Sequence, residues 1–339
     1  MRIDVWSHVL SQPYLAHLDA QAQRGVAAVL RGQRALHDIE YRLRVIDQYN
    51  DYQQVLTPVP GMHVFGPQSP TNPSLVDVVR RNNEQMAEIV ARHPDRFAGF
   101  AAATPVTDPE AATEEAVRSV RELGALGVQL EEDAINVPLH EARYDPLFAA
   151  MEQLGAGVWL HPFRTPTTPG APPDTAPFLL WQVFGWTFDT TITIAQLIFA
   201  GIYDRHPDLK LIAHHGGGLI PHFSGRIEMM PAFGQLDSSG SLDQALERLK
   251  KSPIDYFRML YVDTAMFGGA HGLRCALEFF GTEHVLFGTD APFDAQAGSY
   301  FIPRTISDVE ATAGNQDQQS AIFQGNVTKV LRMGLALEA

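Results

Sequence analysis

The chain has 339 residues, 45% of them hydrophobic and 19% charged, with 25 basic against 39 acidic side chains and a formal net charge of −14. That is a soluble globular composition, and its acidity, with no stripe of Lys or Arg, speaks against nucleic-acid binding, which needs a cation at each phosphate. The lone cysteine, Cys275, excludes an internal disulfide framework and a multi-cysteine zinc site and fits a reducing compartment, so any metal must sit on His, Asp and Glu.

The first segment, Met1-Arg2-Ile3-Asp4-Val5-Trp6-Ser7-His8, is too polar for an export signal, and no window approaches the roughly eighteen uninterrupted apolar residues of a membrane span. A cytoplasmic protein is expected. Short β-rich runs then alternate with stretches of helical periodicity, the signature of βα units. The strands are expected at Ile3–Ser7, Gln53–Thr57, Phe97–Ala102, Gly127–Leu130, Gly157–His161, Leu209–His214, Met259–Asp263 and Val285–Thr289. This is the complement of a (β/α)8 TIM barrel, an α/β fold, and 1–339 reads as a single domain. Between strands, Leu75–Arg92 has apolar residues at helical spacing and is stopped by His93-Pro94, and a second helix follows the cap-like Asp108-Pro109. Residues 9–40 and the proline-rich Arg164–Pro177 break the rhythm after strands one and five, and read as insertions that could act as substrate lids.

Several of the thirteen histidines fall where a strand should end. His8 ends strand one, His161 strand five, and His214 and His215 strand six, before Gly216-Gly217-Gly218; Asp290 ends strand eight. A barrel converges strand ends on one mouth, where neutral imidazoles and a carboxylate suit a divalent transition metal. Any one alone reads as structural; four strand ends agreeing read as a site. His17, His37, His93, His140, His206 and His284 lie in helices or polar turns and read as solvated. His63, His222 and His271 border strand ends with nothing in their spacing to mark them.

The segments Ile3–His8, Gly127–Leu130, Leu160-His161-Pro162, Asp189-Thr190-Thr191, His215-Gly216-Gly217-Gly218 through Gly225-Arg226-Ile227, Tyr261–Thr264 and Gly288–Phe293, in that order and spacing, resemble the amidohydrolase-related decarboxylases. That family includes aminocarboxymuconate semialdehyde decarboxylase, γ-resorcylate decarboxylase and 5-carboxyvanillate decarboxylase. The resemblance implies one divalent metal, zinc first and manganese second, and non-oxidative decarboxylation of an unsaturated or aromatic acid. By position it implies His161 and Asp290 as metal ligands and His8 as the second histidine of a His-x-His pair. Trp6 stands where the first would be, and indole offers no lone pair to a metal. It is expected instead as a pocket wall that narrows the metal's open side. His215 matches a histidine that handles a proton beside the metal, together with Asp290; His214 has no such match and reads as a supporting or packing residue. Arg42 and Arg44 resemble a segment that grips the substrate carboxylate, Arg226 resembles an arginine supplied by a neighbouring subunit, and Arg164 is a further candidate on the loop after His161. A small carboxylated substrate and a homodimer are implied. Trp181, Phe184, Trp186 and Phe188 read as packing first and ring stacking second. The runner-up activity is hydrolysis or hydration with the same metal, and a further alternative is a carboxylate-binding protein that has lost its metal.

Overall fold

The structure is a computed structural model that describes residues 1–20, 24–62, 74–132, 137–164, 177–331 and 333. Seven strands, β1 (Arg2–Val9), β2 (Tyr52–Pro58), β3 (Phe97–Ala103), β4 (Gly127–Glu132), β5 (Gly157–Pro162), β6 (Lys210–Ala213) and β7 (Tyr261–Val262), form one parallel, curled sheet in sequence order. Their near-continuous apolar runs suit strands buried on both faces: every residue of β1 after Arg2 is buried, and all of β5. One core lies between the sheet and the surrounding helices. A second fills the inner face, where Ile3, Val5, Trp6, Val55, Ala101, Trp159, Ile212 and Leu286 meet.

The helices begin and end for local reasons. Leu75–Arg92 is capped by Ser74, whose Oγ accepts the Asp77 N–H at 3.1 Å, and it closes at His93. Pro109–Glu122 starts with proline in its first turn, and Asp108 accepts the Ala111 N–H. Gln12–Ala20, Arg24–Gly32, Arg34–His37 and Ile39–Ile46 occupy the stretch between β1 and β2. Of the expected proline-rich loop, 165–176 lies outside the described residues, as does His63.

The eighth run departs from expectation. Residues 285–291 touch both edges of the sheet through two isolated bridges, Val262 to Val285 and Ser7 to Ala291, without forming a regular strand. The Val5 N–H donates to Phe287 O and the Leu286 N–H to Val262 O, each at 2.8 Å. The intervening backbone groups are taken by other partners. Thr264 Oγ1 holds both the N–H and the carbonyl of Gly288, Asn326 donates to Val285 O, and Asp4 accepts the Thr289 N–H. Asp290 has a left-handed φ of 62°, which makes the pairing irregular there, although its N–H still donates to Trp6 O at 3.0 Å.

Asp4 ties this run to β1. Fully buried, it accepts from the Trp6 and Thr289 backbone N–H groups and from the hydroxyls of Ser7, Tyr52 and Thr289. Burial raises its pKa even against these hydrogen bonds. Taking the Trp6 N–H into a side chain breaks the β1–β2 register between Asp4 and Ser7. Trp6 therefore joins Val5 on the inner face, and His8 comes to the mouth two residues on. Asp4→Ala would strand five buried donors. We expect it to lower unfolding free energy by about 3–5 kcal/mol in denaturant titration; a loss below about 1 kcal/mol would contradict this role.

Candidate metal centre

Strand parity carries His161 two residues beyond Trp159 and His214 two beyond Ile212, and both arrive at the mouth with His8 and Asp290. Two groups of three residues have ligand atoms within 4.8 Å of one another, all buried: His8, His161 and His214, and His214, His215 and Asp290. Expectation brought His8, His161 and Asp290 together directly; in the structure they meet around His214. His215 reaches Asp290 because its own φ of 52° turns the chain back, and its ring stacks on His214 with centroids 3.8 Å apart. Gly216, at φ 62°, follows where a Cβ would lie 2.0 Å from the Met266 side chain.

Hydrogen bonds decide which ring nitrogens face inward. His8 Nδ1 lies 3.0 Å from Pro58 O, and His161 Nδ1 2.7 Å from Pro162 O. A carbonyl can only accept, so each Nδ1 carries the proton and, in the neutral ring, Nε2 keeps its lone pair. His8 Nε2 sits 3.1 Å from Asp290 Oδ1, yet has no hydrogen-bond partner. His8 Nε2 and Asp290 Oδ1 thus approach closely in a buried space without an aligned hydrogen bond, an arrangement a cation would satisfy. His214 Nδ1 is bound to Asp263 Oδ2, while its Nε2, 3.5 Å from Asp290 Oδ1, is also without a hydrogen bond. These orphaned atoms, three imidazoles and a carboxylate, fit one divalent metal.

The charges agree. Burial, then His8 and His214, push His161 well below the usual histidine range, and burial with His214 also lowers His215. Burial likewise opposes a charge on His214, but Asp263 and Asp290 outweigh it and raise the ring to about 9. Asp290 is pushed up by burial, but His214, His215 and His8 hold it well below the usual carboxylate range.

Arg42 is a correction. It is 1% exposed, and its guanidinium donates to His8 O at 2.5 Å and Gln54 Oε1 at 2.8 Å. It props the backbone behind His8, and its Nη2 is buried without a hydrogen-bond partner. Burial lowers its pKa to about 10, against the pull of Tyr52 and Asp4. Arg44 is exposed, over the Tyr41 ring, and Arg226 is exposed on the short helix Ser224–Glu228. Arg164 is held by Asp189 through two bonds of 2.7 and 2.6 Å, so its charge is matched beside the mouth. Trp6 is a second correction. It is fully buried and stacked on His214 at 4.0 Å, which makes it part of the floor and no wall of the open side.

The walls come from elsewhere. Trp186 ends a wide helical turn, Trp181–Trp186, and lies 5.6 Å from His161; Phe293 is 5.1 Å from His8 and Phe267 5.8 Å from His215. Phe184 and Phe188 are 67% and 49% exposed, so neither packs into the core of this chain. Sequence reasoning passed over Phe267, Phe293, Asp263 and the central place of His214. For His214 a signal existed: it shares parity with the inward Ile212, as His161 does with Trp159.

The amidohydrolase family model matches residues 3–333, and the chain belongs to that family. The γ-resorcylate decarboxylase of Rhodococcus jostii is 30% identical over 307 residues, which cover 86% of this chain and 89% of that protein. The 2-amino-3-carboxymuconate-6-semialdehyde decarboxylase of Dictyostelium discoideum is 28% identical over 256 residues, 76% of this chain and 67% of its own. A dihydroxybenzoic acid decarboxylase from Polaromonas, solved with bound manganese and the inhibitor 2-nitroresorcinol, has a TM-score of 0.81 and 25% identity over 99% of this chain and 98% of that one. Among the described residues no helix is long and apolar enough to cross a membrane.

These shifts set a pH dependence for the metal-free protein. When folded, His161 stays neutral and His215 takes its proton at a lower pH than an ordinary histidine, whereas both bind a proton when unfolded below about 6.5, so stability falls as pH drops from there; Asp290 adds a further loss below about 3.8. His214 is the opposite case: it keeps its proton when folded up to about 9, and its contribution is lost as pH rises from 6.5 to 9. Chemical denaturation across pH 4–10 should therefore find a maximum near pH 6.5 (about the unperturbed histidine value). A stability that climbs steadily to pH 9 would contradict the His214–Asp263 pairing.

Proposed function

We propose that the chain is a metal-dependent carboxy-lyase, one (β/α)8 barrel over 1–339 working in the cytoplasm, that removes CO₂ without an oxidant from an aromatic or unsaturated acid. The observation that carries this reading is the buried approach of His8 Nε2 to Asp290 Oδ1, ringed by further imidazoles in a chain whose relatives are named decarboxylases.

His8, His161 and Asp290 would hold the ion; their nitrogen-rich donor set favours zinc, with manganese second because a relative's structure is described with it. Bound there, it supplies Lewis acidity toward a substrate oxygen. Trp186, Phe267 and Phe293 receive the planar ring by stacking and keep water from the reacting carbon. The bond to the carboxylate breaks with its electron pair left on carbon, and that carbon takes a proton as CO₂ leaves. His215 delivers it. Its Nδ1 is buried with no partner, and its Nε2 lies 3.9 Å from Asp290 Oδ2, which steadies the ring as it loses and regains the proton.

Substrate carboxylate recognition falls to Arg226 of a second copy in a homodimer. Its support is the exposure of large apolar side chains on elements close in sequence to Arg226, with Met229 55% and Leu236 81% exposed. Scattering should find a dimer, and Arg226→Ala should weaken substrate binding; a fully active monomer would rule this out.

A panel of aromatic and unsaturated acids offered to zinc- or manganese-loaded protein should release one CO₂ per substrate consumed. Incorporation of solvent oxygen with no CO₂ would instead assign hydrolysis or hydration. With a substrate in hand, His215→Asn should lower turnover by roughly 10²–10⁴ while metal content stays unchanged. Loss of metal in that variant would place His215 among the ligands and defeat its assignment as proton donor.

A further inference from the structure

We propose that His214 is a metal ligand of this chain, the imidazole that replaces what Trp6 in β1 cannot offer, with the Trp6 ring as its plate and Asp263 as its clamp. The inference rests on reading the site as a metal centre and adds a donor to it.

His214 is the one residue common to both ligand groups, and its Nε2 is buried without a hydrogen-bond partner among His8, His161 and Asp290. Its other nitrogen is committed. Nδ1 donates to Asp263, and Asp263 is itself fixed by the backbone N–H groups of His215 at 3.2 Å, Gly216 at 2.9 Å and Ala265 at 3.0 Å. A ligating imidazole ordinarily gives its second N–H to a carboxylate, which sets the tautomer and aims the lone pair. The ring plane is fixed as well. Trp6 covers one face, at 4.0 Å and 14° from parallel, and His215 the other, at 3.8 Å and 25°.

The same covering excludes the other roles open to a buried histidine. With both faces stacked and 0% exposure, His214 has no path along which to pass a proton to a substrate carbon, whereas His215 is 8% exposed and keeps an unpartnered nitrogen. A residue there only to fill space would need neither a carboxylate on one nitrogen nor an empty polar space before the other. Trp6 completes the argument. Its indole N–H is buried with no acceptor, a cost of about 1–3 kcal/mol that a smaller apolar side chain would avoid. The broad ring it lays against His214 is the return for that cost, since a locked ligand binds metal with less loss of rotamer freedom.

The test is metal affinity, measured by competition with a chromophoric chelator on full-length, metal-free protein titrated with zinc. His214→Ala should weaken binding by at least roughly 100-fold, Asp263→Asn by roughly 10–100-fold, and Trp6→Phe, which keeps a plate, by no more than a few fold. Adding Trp6→His to His214→Ala should recover at least tenfold by returning an imidazole to β1. Folded His214→Ala protein that binds zinc like the wild type would overturn the proposal. Should that variant fail to fold, zinc-edge X-ray absorption on the wild-type holoprotein decides: three imidazoles are expected, and two would overturn it. CO₂ release by the wild type is scored separately, so a protein that binds zinc through His214 and decarboxylates nothing refutes the proposed reaction and leaves this ligand standing.

Discussion

A buried carboxylate must be satisfied by donors, and in this chain two such carboxylates decide where everything else can sit. Asp4 accepts five hydrogen bonds at the join between β1 and residues 285–291; Asp263 accepts four at the end of β7. Neither touches the central space in the described contacts. Asp4 shifts the β1 register so that His8 faces inward, and it fixes Thr289 immediately before Asp290. Asp263 holds the ring of His214 and the backbone of His215 and Gly216. The two sides of the mouth are therefore placed by groups one layer below it, and the geometry is ready before any ligand arrives.

That preparation has an electrostatic consequence. Within one buried volume, Asp290 is held anionic, His161 neutral, and the nitrogens of His8 and His214 are left without hydrogen bonds. An unsatisfied polar atom in a low-dielectric interior is costly, and two such nitrogens lie together here. A divalent cation would satisfy both at once beside the Asp290 carboxylate. Arg42 contributes from behind, spending its guanidinium on the His8 carbonyl and Gln54. Its burial shows how a residue that looks like a substrate grip can instead be a strut for a ligand-bearing strand.

Much of the fold was readable from local chemistry. The buried apolar runs of β1 to β5 and the capped helix Leu75–Arg92 need no distant partner to be recognised, and their bounds lie within two residues of expectation. The eighth run was readable as an apolar segment but not as an irregular one, because its backbone is claimed by side chains far away in sequence: Asp4, Thr264 and Asn326. The same limit applies to the site. The strand-end rule brought His8, His161, His215 and Asp290 to one place, yet the weight of His214 depends on Asp263, 49 residues on, and on the Asp4 bulge that sends Trp6 inward to stack on it. Arg42 misled for a related reason: burial is a property of the packed helix Ile39–Ile46, and a charged side chain carries no mark of it.

The central claim is that the buried approach of His8 Nε2 to Asp290 Oδ1 marks a cation site built in advance by the layer beneath. Its most direct test is a crystal of the full chain grown with one equivalent of zinc, with anomalous diffraction recorded on both sides of the zinc edge. The account predicts a single strong peak within about 2.0–2.2 Å of His8 Nε2 and of an Asp290 oxygen, with Asp4 and Asp263 keeping the partners described above. Zinc bound elsewhere, with His8 and Asp290 joined by a proton and no peak between them, would contradict it.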